Sequence, residues 1–102
     1  MLKGLVIAAS GAQLLEEELD RNHFPWVELR KEDGKYRTAE DFRSAAEQLP
    51  GTMKELLCLV ETDGEEITAL SLGLICVGYL NPELKDQRLS GCRILLEGFQ
   101  EV

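Results

Sequence analysis

The feature that most constrains this chain is a stretch without charge. Residues 67–80, ITALSLGLICVGYL, contain no Asp, Glu, Lys or Arg, and they are bracketed by Asp63-Gly64-Glu65-Glu66 in front and Asn81-Pro82 behind. The rest of the chain is shorter-patterned, charged and amphipathic, so residues 63–82 are expected to be the element on which the other pieces pack. The bracketing residues read as helix punctuation. Asp63 can act as an N-cap with Glu66 reaching back to it, and Asn81-Pro82 stops one element and can start the next. Ile67, Leu70, Leu74 and Val77 lie along one side of such a helix, and Leu72, Ile75 and Tyr79 widen the apolar surface around it. Gly73 and Gly78 weaken helix propensity but permit close approach by a neighbouring backbone. The pattern therefore predicts a buried helix over 63–80. The competing reading makes residues 62–64 a hairpin turn between two buried strands.

On the amino side of this run, residues 2–22 admit a single helix, with Leu2, Leu5, Ala9, Ala12, Leu15 and Leu19 forming a seam of heptad type, or a strand at 5–8 followed by a helix capped by Ser10 with Gln13. Helix over at least 11–21 is expected in both cases. Pro25 breaks it, since the residue before a proline is pushed to extended geometry. Asp33-Gly34 is the strongest hairpin signal in the chain, which predicts a β-hairpin over 26–37. Thr38 followed by Glu40 and Asp41 opens a helix whose inner face is Phe42, Ala45, Ala46 and Leu49, ended by Pro50-Gly51. Residues 52–61 fit either a helical stripe or a buried strand, and the helix formers Met53, Lys54 and Glu55 tip the expectation to helix. A further helix is expected after Pro82, with Leu84 and Leu89 inward. In the tail, Ile94, Leu95, Phe99 and Val102 fit a last amphipathic helix, with a strand as the alternative. The expected fold is mainly α: one domain over 1–102, a small compact bundle of short helices around 63–80 with one β-hairpin, and α+β as the second choice.

Charge and cysteine usage narrow the function classes. With 19 acidic against 11 basic residues the formal net charge is −8, a field that disfavours nucleic-acid phosphates and anionic lipid and draws in a basic partner. The one basic cluster, Arg30, Lys31, Lys35 and Arg37, is interrupted by Glu32 and Asp33, so hairpin solubility explains it more simply than a nucleic-acid surface. Cys58, Cys76 and Cys92 are odd in number, widely spaced and set in apolar surroundings, which argues against a disulfide framework or a zinc site and for a reducing compartment. The apolar patch of the first ten residues is too short for a secretory signal, and the central run falls short of the about 20 apolar residues a bilayer span needs. A cytoplasmic protein without membrane attachment is the expectation.

No catalytic, cofactor or metal motif is present, and neither a phosphate loop nor a nucleophile elbow occurs. Residues 62–66 supply acids but lack the alternating oxygen ligands of a calcium loop. The lone histidine, His23, could serve as a base with nearby carboxylates in a small enzyme or ligand-binding domain. A histidine near a helix C-terminus, favourable to the helix dipole, is the simpler account. The favoured expectation is a small acidic non-catalytic protein acting through protein–protein binding, as a regulator, adaptor, inhibitor or chaperone-like factor. Its partner surface is assigned to Phe24, Trp26 and Tyr36, because aromatics on loops are common interface anchors, together with the acids Glu16, Glu17 and Glu18. A homodimer is expected through a seam of Leu2, Leu5, Leu15 and Leu19.

Overall fold

Five parallel strands organise the molecule, and the expected helical bundle is not formed. A computed structural model describes residues 2–9, 13–29, 38–80, 87–92 and 94–96. The elements are β1 (Gly4–Ala8), α1 (Gln13–Arg21), β2 (Trp26–Glu28), α2 (Ala39–Glu47), β3 (Leu56–Val60), α3 (Asp63–Ser71), β4 (Ile75–Tyr79) and β5 (Ile94–Leu96). A short 3-10 turn, Met53–Glu55, leads into β3. The sheet order is β2-β1-β3-β4-β5 with every pair parallel. β1, GLVIA, is buried throughout, and β3, LLCLV, nearly so. A strand covered on both faces shows a continuous apolar run rather than alternation, which is why these two occupy the middle.

The helices divide between the faces. α1 lies on one face, where Leu15 and Leu19 pack with Leu5, Ile7, Ala9, Leu59 and Val77. α2 and α3 lie on the other, where Phe42, Ala45, Ala46 and Ala69 pack with Val6, Ala8, Leu56, Cys58, Val60 and Cys76. The chain steps from β1 to β2 in one direction and from β2 through β3 to β4 in the other, and right-handed crossovers then deliver helices to opposite faces. The result is a doubly wound α/β sheet.

The mainly-α expectation fails at identifiable residues. The uncharged run is not one helix: it is α3, a turn, and β4. α3 starts at Asp63 as anticipated, but its cap is Thr62, whose Oγ1 accepts from Glu65 N at 3.2 Å. It stops at Ser71 because Gly73 adopts φ +91°, with Gly73 N donating to Leu70 O (3.0 Å) and Leu74 N to Ala69 O (3.2 Å). These two bonds around a left-handed residue are the Schellman stop, and Leu74 leaves it directly into a strand. Residues 52–61 form the short turn and β3, since buried parallel pairing on both sides outweighs the helix propensity of Met53, Lys54 and Glu55. Trp26–Glu28 is a strand, but it pairs in parallel with β1 rather than within a hairpin; residues 30–37, with Asp33-Gly34 and Tyr36, lie outside the described residues. The single-helix reading of 2–22 gives way to β1 plus α1, with Ser10 outside the described residues. The tail contributes β5, so at Ile94 and Leu95 the expected last helix gives way to the strand alternative; Phe99 and Val102 lie outside the described residues. Of the helix expected after Pro82, residues 81–86 are outside the description and residues 87–89 are not helical. α2 matches expectation: Thr38 Oγ1 accepts from Asp41 N (3.3 Å) and Thr38 N donates to Asp41 Oδ2 (2.8 Å), a reciprocal capping box. Among the described residues no helix is long and apolar enough to cross a membrane.

Candidate functional site

In doubly wound sheets ligands gather at the carboxyl edge where the strand order reverses, here between β1 and β3. The described part of that edge is occupied by the chain's own groups. Thr62 Oγ1 donates to Glu65 Oε1 at 2.7 Å, and Glu65 and Glu66 are both buried. Asp63 Oδ1 accepts from the backbone N–H groups of Leu89 (2.8 Å) and Arg88 (3.0 Å). Those two donors, Leu89 first, hold the Asp63 carboxyl below its ordinary value. Gln87 Nε2 donates to Tyr79 O (2.6 Å) and Glu61 O (2.7 Å), tying the ends of β4 and β3 together. Leu89 sits fully buried at φ 47°, a conformation costly for a branched residue and held here by the Asp63 bond. The start of α3 is thus filled by acids that already have partners, and it offers no cradle for a phosphate.

Behind this edge the fold collects the three thiols that the sequence spreads apart. Cys58 and Cys76 are register partners on β3 and β4, and Cys92 joins them on the face covered by α2 and α3. Cys92 Sγ donates to Glu66 Oε2 at 3.1 Å, and Cys76 Sγ lies 3.9 Å from Glu66 O. Burial and then the Glu66 charge push the Cys76 thiol up to about 11. Burial and the bond to Glu66 push Cys92 up as well. A thiol held protonated is a poor nucleophile and a poor metal ligand, which disfavours such roles for Cys76 and Cys92, and all three cysteines pack in the α2 and α3 core cluster. All three are free, and among the described residues no group of three potential ligands could hold a metal.

The partner residues assigned from sequence come together at the opposite, amino edge. α1 ends as α3 does: His23 N donates to Asp20 O (3.1 Å) and Phe24 N to Leu19 O (2.9 Å), with His23 at φ 55°. His23 therefore has a backbone role, and its exposed imidazole has no hydrogen-bond partner among the described residues. Phe24 then packs beside Leu19, and Trp26 begins β2 with its Nε1 donating to Asp20 Oδ1 at 2.8 Å. Asp20, His23, Phe24, Pro25 and Trp26 line one open depression of about 490 Å³. One turn away on α1, Glu17 is exposed, while Glu18 pairs with Arg21 at 2.7 Å and Glu16 is half-buried. Phe24 and Trp26 thus line one depression with Asp20, while the acidic triplet lies earlier on α1 and is not part of that lining; Tyr36 lies outside the described residues.

The seam residues are spent differently from expectation. Leu5 and Leu15 are buried against each other's layer, Leu19 packs on the same cluster, and only Leu2 is exposed. A strand and a helix facing each other leave no continuous stripe for a twin. The clamp made by Asp63 and Gln87 was not found from sequence: its partners are 25 or 26 residues away for Asp63 and 8 and 26 for Gln87. Only the acid at the start of α3 hinted at it. No known family model, curated protein or solved structure matches the chain.

Proposed function

We propose that this chain is a non-catalytic protein that acts by binding another protein, and that the corner formed by α1 and the turn after it receives a basic surface of that partner. The observation that carries the reading is the convergence of Phe24, Pro25, Trp26 and the exposed acid Asp20 on one depression. Half-buried aromatics flanked by charge match the composition of interface anchors. The −8 net charge favours a basic partner by long-range attraction, and three free thiols suit a reducing, cytoplasmic setting. The second reading, a small enzyme or ligand-binding domain using His23 with a nearby carboxylate, would use the same depression, where His23 and Asp20 both stand; we favour binding because that depression is at the amino edge, opposite the strand ends where such folds place chemistry.

The test compares partner capture by the parent, by Glu17→Lys with Pro25→Arg, and by Glu47→Lys on the other face of the sheet. Quantitative mass spectrometry of the captured proteins should show a set reduced at least several-fold by the first variant and retained by the second. Equal capture by all three would remove this corner from consideration.

A further inference from the structure

The depression at the end of α1 holds one acid whose position is fixed and whose charge is unanswered. Trp26 Nε1 donates to Asp20 Oδ1 at 2.8 Å, and both residues line the depression. Among the described residues no cation pairs with the Asp20 carboxylate; the adjacent Arg21 is turned to Glu18 instead, at 2.7 Å. α1 ends here after nine residues, so the partial negative charge of its carboxyl terminus adds to that of Asp20. Phe24 and Trp26 are half-buried: each packs against the α1-side core and also lines the depression, beside the exposed Pro25. Aromatic faces attract a cation as well. The exposed imidazole of His23, when neutral, offers one more acceptor. Carboxylate, helix end and aromatic rings thus all favour positive charge at one place.

Resting on the docking reading above, we infer that this depression takes an arginine side chain of the partner, its guanidinium bonded to Asp20 and lying against Trp26, in preference to a lysine. The depression is open, so a compact ammonium keeps its strong hydration there and gains little. A guanidinium is flat, more weakly hydrated and carries its N–H donors in a rigid fork, so it can lie on the aromatic and proline rings while its edge meets the carboxylate. Oδ1 of Asp20 keeps a lone pair beyond the indole bond, and Oδ2 has no partner among the described residues, so both oxygens can accept. The walls are already in place. Pro25 O accepts from Leu5 N at 3.0 Å and Trp26 stands in register with Leu5, so the sheet fixes the aromatic side and α1 the acidic one. Little ordering is left to be done on binding.

Trp26 is the only tryptophan of the chain, so its indole N–H gives a single resonance in isotope-labelled protein. Titration with a short acetylated and amidated peptide of alternating glycine and arginine should shift that resonance saturably, with a dissociation constant about fivefold below that of the lysine counterpart. Asp20→Asn keeps an oxygen for the indole bond and removes the charge. It should weaken the arginine peptide about fivefold and cancel the preference over lysine. Glu47→Gln removes one charge from the other face of the sheet and should leave both affinities unchanged. Equal affinity for the two peptides, the absence of a saturable shift, or equal weakening by Glu47→Gln and Asp20→Asn overturns the inference. An unmoved indole with partner capture still reduced by Glu17→Lys with Pro25→Arg would remove the guanidinium and leave the docking reading standing; arginine-selective binding with equal capture would do the reverse.

Discussion

α1 and α3 are both nine-residue helices that follow a central strand, and both end with the same pair of backbone bonds around a left-handed residue. At α3 that residue is Gly73; at α1 it is His23. The position of the stop is therefore set less by the left-handed residue than by its apolar successor. Phe24 returns to Leu19 on one face of the sheet, and Leu74 returns from the end of α3 into the core of the other. The apolar residue after the turn fixes where the helix must end, and the residue in the turn sets how much that ending costs. A glycine adopts it freely, whereas an L side chain there costs about 1–2 kcal/mol.

Four substitutions press on this comparison. Leu74→Ala removes the buried anchor after α3, and with Leu74 3% exposed a loss of about 2–4 kcal/mol is expected in urea unfolding. Asp63→Ala tests the tie that α3 has at its other end. Losing the acceptor for Leu89 and Arg88 should cost about 1–2 kcal/mol, with solvent screening of the half-exposed carboxylate included. The direction of the shift sets the sign with pH. Asp63 is held below its ordinary 3.8, so its contribution is complete above that value and disappears as pH falls through the folded-state value. Parent and variant should differ at neutral pH and converge in acid; a gap that persists in acid would show the bonds do not depend on the charge. Gly73→Ala should cost about 1–2 kcal/mol from backbone strain alone, because the nearest atom to the added Cβ is Met53 Cβ at an ordinary 3.6 Å. His23→Gly should go the other way and stabilise by about 0.5 kcal/mol, the relief being partly offset by the greater freedom of glycine in the unfolded chain. If His23→Gly destabilises, the imidazole has a role beyond the turn.

The contrast between local and distant signals also decides what could be read in the sequence. The start and inner face of α2 were legible because their signals are local, Thr38, Asp41 and the spacing of Phe42, Ala45 and Ala46, although the helix ends at Glu47 and Leu49 lies beyond it. The uncharged run misled because a helix apolar all round and a half-exposed helix followed by a turn and a buried strand share one composition; Ile67 and Leu70 of α3 are in fact exposed. Gly73 was visible as a weak helix residue, and its use as a left-handed stop before Leu74 was the available clue. β1 and β3 are parallel strands whose pairing partners lie 52 residues apart, as in Gly4 with Leu56, so the local pattern offered each only as an alternative to a helix. Phe24 and Trp26 were singled out because loop aromatics stand out locally, and the structure places both on one depression. The Asp63 and Gln87 bonds were not, since their geometry exists only after the sheet has formed.

At the carboxyl edge, the single side-chain amide of Gln87 bonds the carbonyls at the ends of two adjacent strands, Glu61 after β3 and Tyr79 on β4. Both of its amide protons are committed only while those strands keep their spacing. The pair of proton resonances is therefore a built-in gauge of that edge: slow to exchange while β3 and β4 stay together, and the first signal to broaden if anything pries them apart.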